Sequence, residues 1–414
     1  MPHEFSIVLA VSSPAGYFQV FVMATGDAQR QDATSSIKCP IEMAKLESIL
    51  NNSVKADGKL VDTSSRILGE KLGYISVVTN VQLRWDKSKS KELKNLPQSV
   101  IVKQPTHTKL LGLGDEFATF GNPEVVRKMH NCEVAAYKFL SNNGNPPFKI
   151  PQCYYTEEIG DNSDGIIIME DLSAIACSSG DFIDNLSLRK VEVLLEAVAS
   201  LQAFSIKNGD CEACDGKQHL AMFHQMLELY DLSVDYALEK YGSKLHVNKC
   251  KANWLKDEFK KLLQEMENPE KYGHYPVLSY GDLQQNNILW KKDTSGKASD
   301  ELAAMIDFQV FHKGMPSEDV YWAILFFLPA EIRKTNYMRL LEYYYQHLDQ
   351  KLTPDPVPFK LETIIQQYDQ FKRYQAVFFL CCCRSLLEAL KFENAEERTL
   401  IRLNGLLDDI FPNF

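Results

Sequence analysis

The feature that most constrains this chain is an Asp, an Asn five residues later, and a second Asp after a gap the length of a hairpin. The first two lie in Ser279-Tyr280-Gly281-Asp282-Leu283-Gln284-Gln285-Asn286-Asn287-Ile288-Leu289-Trp290, the third in Met305-Ile306-Asp307-Phe308-Gln309. Between them, Asn287 to Trp290 is a short apolar run. Residues 291–301 are polar, with Thr294-Ser295-Gly296 as turn chemistry, and Ala303 to Ile306 is apolar again. Two such runs around turn residues predict a β-hairpin. The hairpin would carry Asn287 and Asp307 to neighbouring strand ends, close enough to share hard cations through oxygen, the donor that magnesium prefers. Asp282 would face the same cleft. Phosphoryl transfer from ATP needs a carboxylate to accept the acceptor hydroxyl's proton and oxygen ligands for the magnesium ions on the phosphates. Asp282 is the candidate base, and Asn287 and Asp307 are the candidate metal ligands. Either half alone is ordinary turn and strand sequence; the three in order are what point to this chemistry.

These segments resemble the catalytic loop and metal-binding segment of the aminoglycoside phosphotransferase and choline kinase superfamily. The resemblance is greatest to its ecdysteroid kinase-like (CHK kinase-like) branch from insects and nematodes. In that branch the loop reads His-Gly-Asp-Leu-Trp, two residues, then Asn-(Ile/Met)-Leu, and the second segment reads Ile-Asp-(Phe/Trp)-Gln. Ile306-Asp307-Phe308-Gln309 matches the latter at all four positions, whereas Tyr280 stands where the family has His. The resemblance implies an α/β fold of the α+β kind, bilobal and protein kinase-like. Its N-lobe would be an antiparallel sheet plus a helix, and its C-lobe larger and mostly helical. It also implies ATP and Mg2+ as cofactors and a small-molecule alcohol as acceptor.

Upstream, such an N-lobe requires a phosphate-covering loop, a lysine on a strand and a glutamate on a helix. The stretch from Leu68 to Ser76 resembles the family's glycine loop, with Gly69 and Gly73 as its two points of close backbone approach, and Val77 to Trp85 reads as the strand leaving it. Ser99-Val100-Ile101-Val102-Lys103 is a β-branched run ending in the candidate phosphate-binding lysine. The helical pattern opening at Met129-His130-Asn131-Cys132-Glu133 matches the family's His-Asn-X-Glu helix and makes Glu133 the candidate partner of Lys103.

Ile166 to Leu172 is a continuous apolar strand breaking into a polar step, as a buried strand before an interlobe connection would. In the family this is the hinge: the Glu170 carbonyl and Leu172 amide would take the adenine edge, with Met169 packing behind and the acidic side chains merely solvated. Beyond it the pattern is helical. Ser187 caps a helix with Leu188, Val191, Leu194, Leu195, Val198 and Leu201 on one stripe. Two more helices are expected over about 220–241 and 254–266, and apolar helical runs over 321–345 and 359–390. Asp319 follows Asp307 by only twelve residues and matches a family position expected to brace the catalytic loop. Protein kinases carry a much longer segment there, with a phosphosite and an Ala-Pro-Glu anchor, so a small-molecule acceptor is the better reading.

With 414 residues, 45% hydrophobic and 24% charged, the chain can bury a core large enough for two lobes. A formal charge of −10 and no clustered basic run exclude a phosphate-backbone binder, so no nucleic-acid partner is expected. No basic amphipathic helix suggests a membrane surface. The ten cysteines are scattered apart from Cys211 with Cys214 and the run Cys381-Cys382-Cys383, which reads as thiols in a reducing, cytoplasmic compartment. Residues 1–40 are expected to be an extension without signal-peptide or membrane-span character, 41–171 the N-lobe and 172–414 the C-lobe. The alternative to an enzyme is a catalytically silent nucleotide- or ligand-binding relative, motivated by Tyr280 and the glycine-poor loop.

Overall fold

The computed structural model describes residues 38–68, 76–86, 95–106, 122–142, 145–180, 183–209, 211, 213–389 and 394–412. In chain order, α1 (Met43–Val54) precedes strands β1 (Leu60–Leu68), β2 (Ser76–Trp85) and β3 (Ser99–Pro105). Then come α2 (Pro123–Asn142), β4 (Cys153–Gly160) and β5 (Ser163–Glu170). The five strands form one antiparallel sheet in the order β1-β2-β3-β5-β4.

Period-two alternation decides what each face of this sheet carries. Val81, Leu83 and Trp85 on β2, Val100 and Val102 on β3, and Ile166 and Ile168 on β5 pack in one cluster with Leu46 and Leu50 of α1. Lys103 is out of phase with that set. It falls on the opposite face with Ile101, Ile167 and Met169, and the latter three contact the main core. Helix α2 has Pro at its first position, where the missing N–H costs nothing, and Glu124 in the first turn. Its buried stripe runs through Val126, Met129, His130, Glu133, Tyr137 and Leu140, so Glu133 sits in the apolar face.

The rest is mostly helical. After β6 (Ala176–Cys177) come α3 (Leu188–Asn208), α4 (Lys217–Tyr241) and α5 (Lys249–Glu267). The Ser187 side chain accepts from the Lys190 amide at 3.1 Å, the cap expected at the start of α3. Strands β7 (Val277–Ser279), β8 (Ile288–Lys292), β9 (Ala298–Met305) and β10 (His312–Gly314) follow, then α6 (Ser317–Phe327), α7 (Ala330–Leu352), α8 (Leu361–Gln366), α9 (Tyr368–Ala389) and α10 (Ala395–Ile410). The run expected over 321–345 is therefore two helices, broken at Leu328-Pro329, where proline cannot continue α6.

Topology places the site. β8 and β9 form the expected hairpin, with Ile288 opposite Met305, while β7 pairs with β10, with Ser279 opposite His312. One loop joins β7 to β8 and the other joins β9 to β10, so pairing both sets of strands forces the two loops to lie side by side.

The C-terminal core is anchored by aromatic rings; Phe259 is fully buried between Phe223 and Tyr374, with centroids at 5.8 and 5.4 Å. Phe259→Ala is expected to cost about 3–5 kcal/mol, read as a lowered urea midpoint with little change in slope.

Candidate functional site

The loop after β9 turns at Asp307, whose φ of 65° is a left-handed conformation that a non-glycine residue rarely adopts. What over-determines it is the next residue. Phe308 is fully buried, edge-on to Tyr137, Tyr280 and Phe311 at 5.0, 5.3 and 5.7 Å. Seating that ring inward turns the Asp307 carboxylate outward, where it remains 31% exposed.

Asp307 meets Lys103 and Glu133 there. The Lys103 ammonium donates to Glu133 Oε1 and Oε2 at 2.9 and 2.7 Å and to Asp307 Oδ1 at 3.0 Å. Lys103 is 6% exposed and Glu133 1%. Burial alone would lower the lysine, but Asp307 and Glu133 outweigh it and hold the ammonium above the usual range. Burial pushes Glu133 up to about 7 even against the pull of Lys103.

Asp282 lies half-buried in the neighbouring loop. Its Oδ2 accepts from Gln284 Nε2 at 2.9 Å and from Asn287 Nδ2 at 2.8 Å. Burial, then the negative charge of Asp307, raise its carboxyl to about 7. With its nitrogen committed to Asp282, Asn287 has its carboxamide oxygen at the other end of the group. Its backbone carbonyl accepts from the Ile306 amide at 3.0 Å, tying the two loops together. Asp282, Asn287, Asp307, Lys103 and Glu133 thus fall in one bonded and electrostatically linked cluster.

The loop is braced from behind by Asp319, 2% exposed, whose two oxygens accept from the amides of Tyr280 and Gly281 at 2.6 and 3.0 Å. Burial pushes this carboxyl up to about 6. Gly281 is required where it stands: its φ is +81°, and a Cβ would lie 2.8 Å from the Val310 carbonyl oxygen. Tyr280, fully buried, donates its hydroxyl to the Ile306 carbonyl.

At the expected hinge, Met169 and Leu172 are buried and Glu170 is partly exposed, its amide donating to the Gln152 carbonyl at 2.8 Å. Asp171 corrects the expectation of merely solvated acids. It accepts from Asn80 Nδ2 at 2.6 Å, Ser99 Oγ at 2.7 Å and the Ser173 amide at 2.9 Å, fastening β2 and β3 to the connection. Gly69 and Gly73, and residues 1–37 of the expected extension, lie outside the described residues. Cys132, beside Glu133, lies 3.7 Å from Cys214, whose sulfur is 2.8 Å from that of Cys211. No helix among the described residues is long and apolar enough to cross a membrane.

A family model, DUF1679, described as "Uncharacterized oxidoreductase dhs-27", matches residues 37–413. The uncharacterized kinase-like protein D1044.1 of Caenorhabditis elegans is 27% identical over 326 residues, covering 75% of this chain and 84% of that protein. The uncharacterized oxidoreductase dhs-27 of Caenorhabditis elegans is 25% identical over 296 residues, 67% of this chain but 34% of that longer protein. The word oxidoreductase thus describes a protein most of which lies outside the match. A doubly wound dinucleotide fold needs a parallel sheet, and every strand pair among the described residues is antiparallel. Among solved structures, the chain is similar to the macrolide 2'-phosphotransferase MphH of Brachybacterium faecium, at 12% identity and a TM-score of 0.39, covering 87% of this chain and 98% of that one. The chain belongs to the DUF1679 family.

Proposed function

We propose that the protein is an ATP- and magnesium-dependent phosphotransferase acting on a hydroxyl of a small molecule. The observation that carries this reading is the convergence of Lys103, Glu133, Asp282, Asn287 and Asp307 across two adjoining loops, a strand and a helix. The donors fit a hard cation, because Asn287 and Asp307 offer side-chain oxygen. Burial is the first cause that raises Asp282 and the charge of Asp307 the second, and a cation held by Asn287 and Asp307 would offset the second. Magnesium, when bound, neutralises charge on the phosphates being transferred.

In this reading the chain's own groups divide the work. Gln284 and Asn287 fix Asp282 Oδ2, leaving Oδ1 to face an incoming hydroxyl and take its proton. Lys103, steadied by Glu133, grips the phosphates, and Asp171 keeps the connection behind the adenine in place. Gly69 and Gly73 would cover the phosphates from above. The acceptor is a small alcohol, because β10 and α6 follow Asp307 so closely that no extended segment is available to hold a peptide.

Asp282→Ala is expected to lower kcat by about 10²–10⁴-fold while nucleotide affinity changes little, measured as magnesium-dependent ATP turnover over a panel of hydroxylated metabolites. Turnover of the parent that survives the substitution would contradict the role. Because the base must be deprotonated, kcat/KM is expected to climb as pH rises through about 7 and to be lost below it. The sign for stability is the reverse. A carboxyl raised in the folded state binds a proton that the unfolded chain releases, so its stabilisation is full at low pH and is lost as pH climbs towards about 7. Asp282→Asn is therefore expected to gain stability relative to the parent between pH 5 and pH 8, read by thermal melts at each pH. Tyr280→Phe orphans the Ile306 carbonyl and is expected to cost about 1–3 kcal/mol in denaturant melts.

A further inference from the structure

We infer that His219, His312 and Glu318 form a binding site for a divalent transition-metal cation of the zinc class, separate from the phosphotransfer cleft. His219 lies in the first turn of α4, His312 opens β10 and Glu318 is the second residue of α6, so three elements converge. The side chains are 5%, 4% and 8% exposed. His312 Nε2 is 3.0 Å and His219 Nε2 4.0 Å from Glu318 Oε2, and one ligand atom from each residue lies within 4.8 Å of the others.

Hydrogen-bond bookkeeping asks for a cation here. His312 Nδ1 is 2.8 Å from the Val310 carbonyl oxygen, which only accepts, so Nδ1 carries the hydrogen. In the neutral ring, Nε2 is then a bare lone pair aimed at a carboxylate. Something positive must stand between them. A proton would serve His312 and Glu318 but would leave His219 unanswered. His219 Nδ1 is buried without a hydrogen-bond partner, and its Nε2 is beyond hydrogen-bond reach of Glu318.

Glu318 is followed by Asp319, and both are buried. Two His nitrogens and one Glu oxygen are a zinc donor set, and an Nδ1–H held by a backbone carbonyl is the usual support of a ligating His. Zinc bonds of about 2.0–2.2 Å in a tetrahedron place ligand atoms about 3.4 Å apart. The 3.0 and 4.0 Å edges bracket that value, and the His219 ring, stacked on His312 with centroids 3.9 Å and planes 23° apart, must turn out of that stack to aim its lone pair at the ion. The ion would stiffen the catalytic loop from behind, because His312 Nδ1 lies 3.0 Å from where a Gly281 Cβ would stand.

The test is the full chain incubated with zinc in the presence of excess magnesium, desalted, and assayed for metal by mass spectrometry, with cobalt as a spectroscopic substitute. One zinc per chain and the visible bands of tetrahedral cobalt are expected. His219→Ala and Glu318→Gln should each weaken zinc binding by more than the about 10–100-fold that loss of a supporting residue brings, while Asp307→Asn, in the phosphotransfer cleft, leaves the stoichiometry unchanged. Less than about a tenth of an equivalent retained by the parent chain, with no cobalt bands, would overturn the site without any variant having to fold. Zinc retained equally by a folded His219→Ala would overturn it too. Neither result bears on ATP turnover.

Discussion

The buried ammonium of Lys103 is the interaction on which the cleft depends. It ends a β-branched run and falls on the sheet face opposite Val100 and Val102, so it is carried inward among apolar neighbours. A lysine there must be paired, and its partners come from two distant parts of the chain: Glu133 on the buried stripe of α2 and Asp307 in the loop after β9. Removing one partner of a buried pair typically costs about 3–5 kcal/mol, so this triad fixes how sheet, helix and loop sit against one another. The same charges also act on the neighbouring loop. Asp307, placed to answer Lys103, is one of the groups that raise Asp282.

Around that centre the supports are backbone-directed. Asp319 holds two successive amides of the β7–β8 loop, Asp171 holds β2 and β3 to the connection after β5, and Phe308 seats the loop that carries Asp307. Tyr280 departs from the family's histidine without abandoning the brace. Its phenol reaches the Ile306 carbonyl, and its ring packs edge-on against Phe308.

Much of this was readable from local pattern. The β8–β9 hairpin followed from an apolar run, turn residues and a second apolar run, and the Ser187 cap from its position before a stripe. Lys103 and Glu133 were found through the resemblance, as the strand lysine and the His-Asn-X-Glu helix glutamate standing in the expected order. What escaped has no local signature. Asp171 looks like any acid after a strand until Asn80 and Ser99 are folded against it. His219 and His312 are far apart in sequence and meet only because α4 begins beside β10, and Cys132 meets Cys214 across a similar distance. The break at Leu328-Pro329 lies inside a continuous apolar run whose helical spacing hides it. Contacts made by topology rather than by period are the part a single sequence conceals.

The most direct test of the central claim is calorimetric titration of the full chain with ATP, with and without magnesium, alongside Asp307→Asn and Lys103→Ala. The account expects one nucleotide site per chain, an affinity at least about tenfold weaker without magnesium, and loss of that magnesium dependence in Asp307→Asn. Absence of nucleotide binding by the parent chain, or binding indifferent to magnesium and to both substitutions, would contradict it.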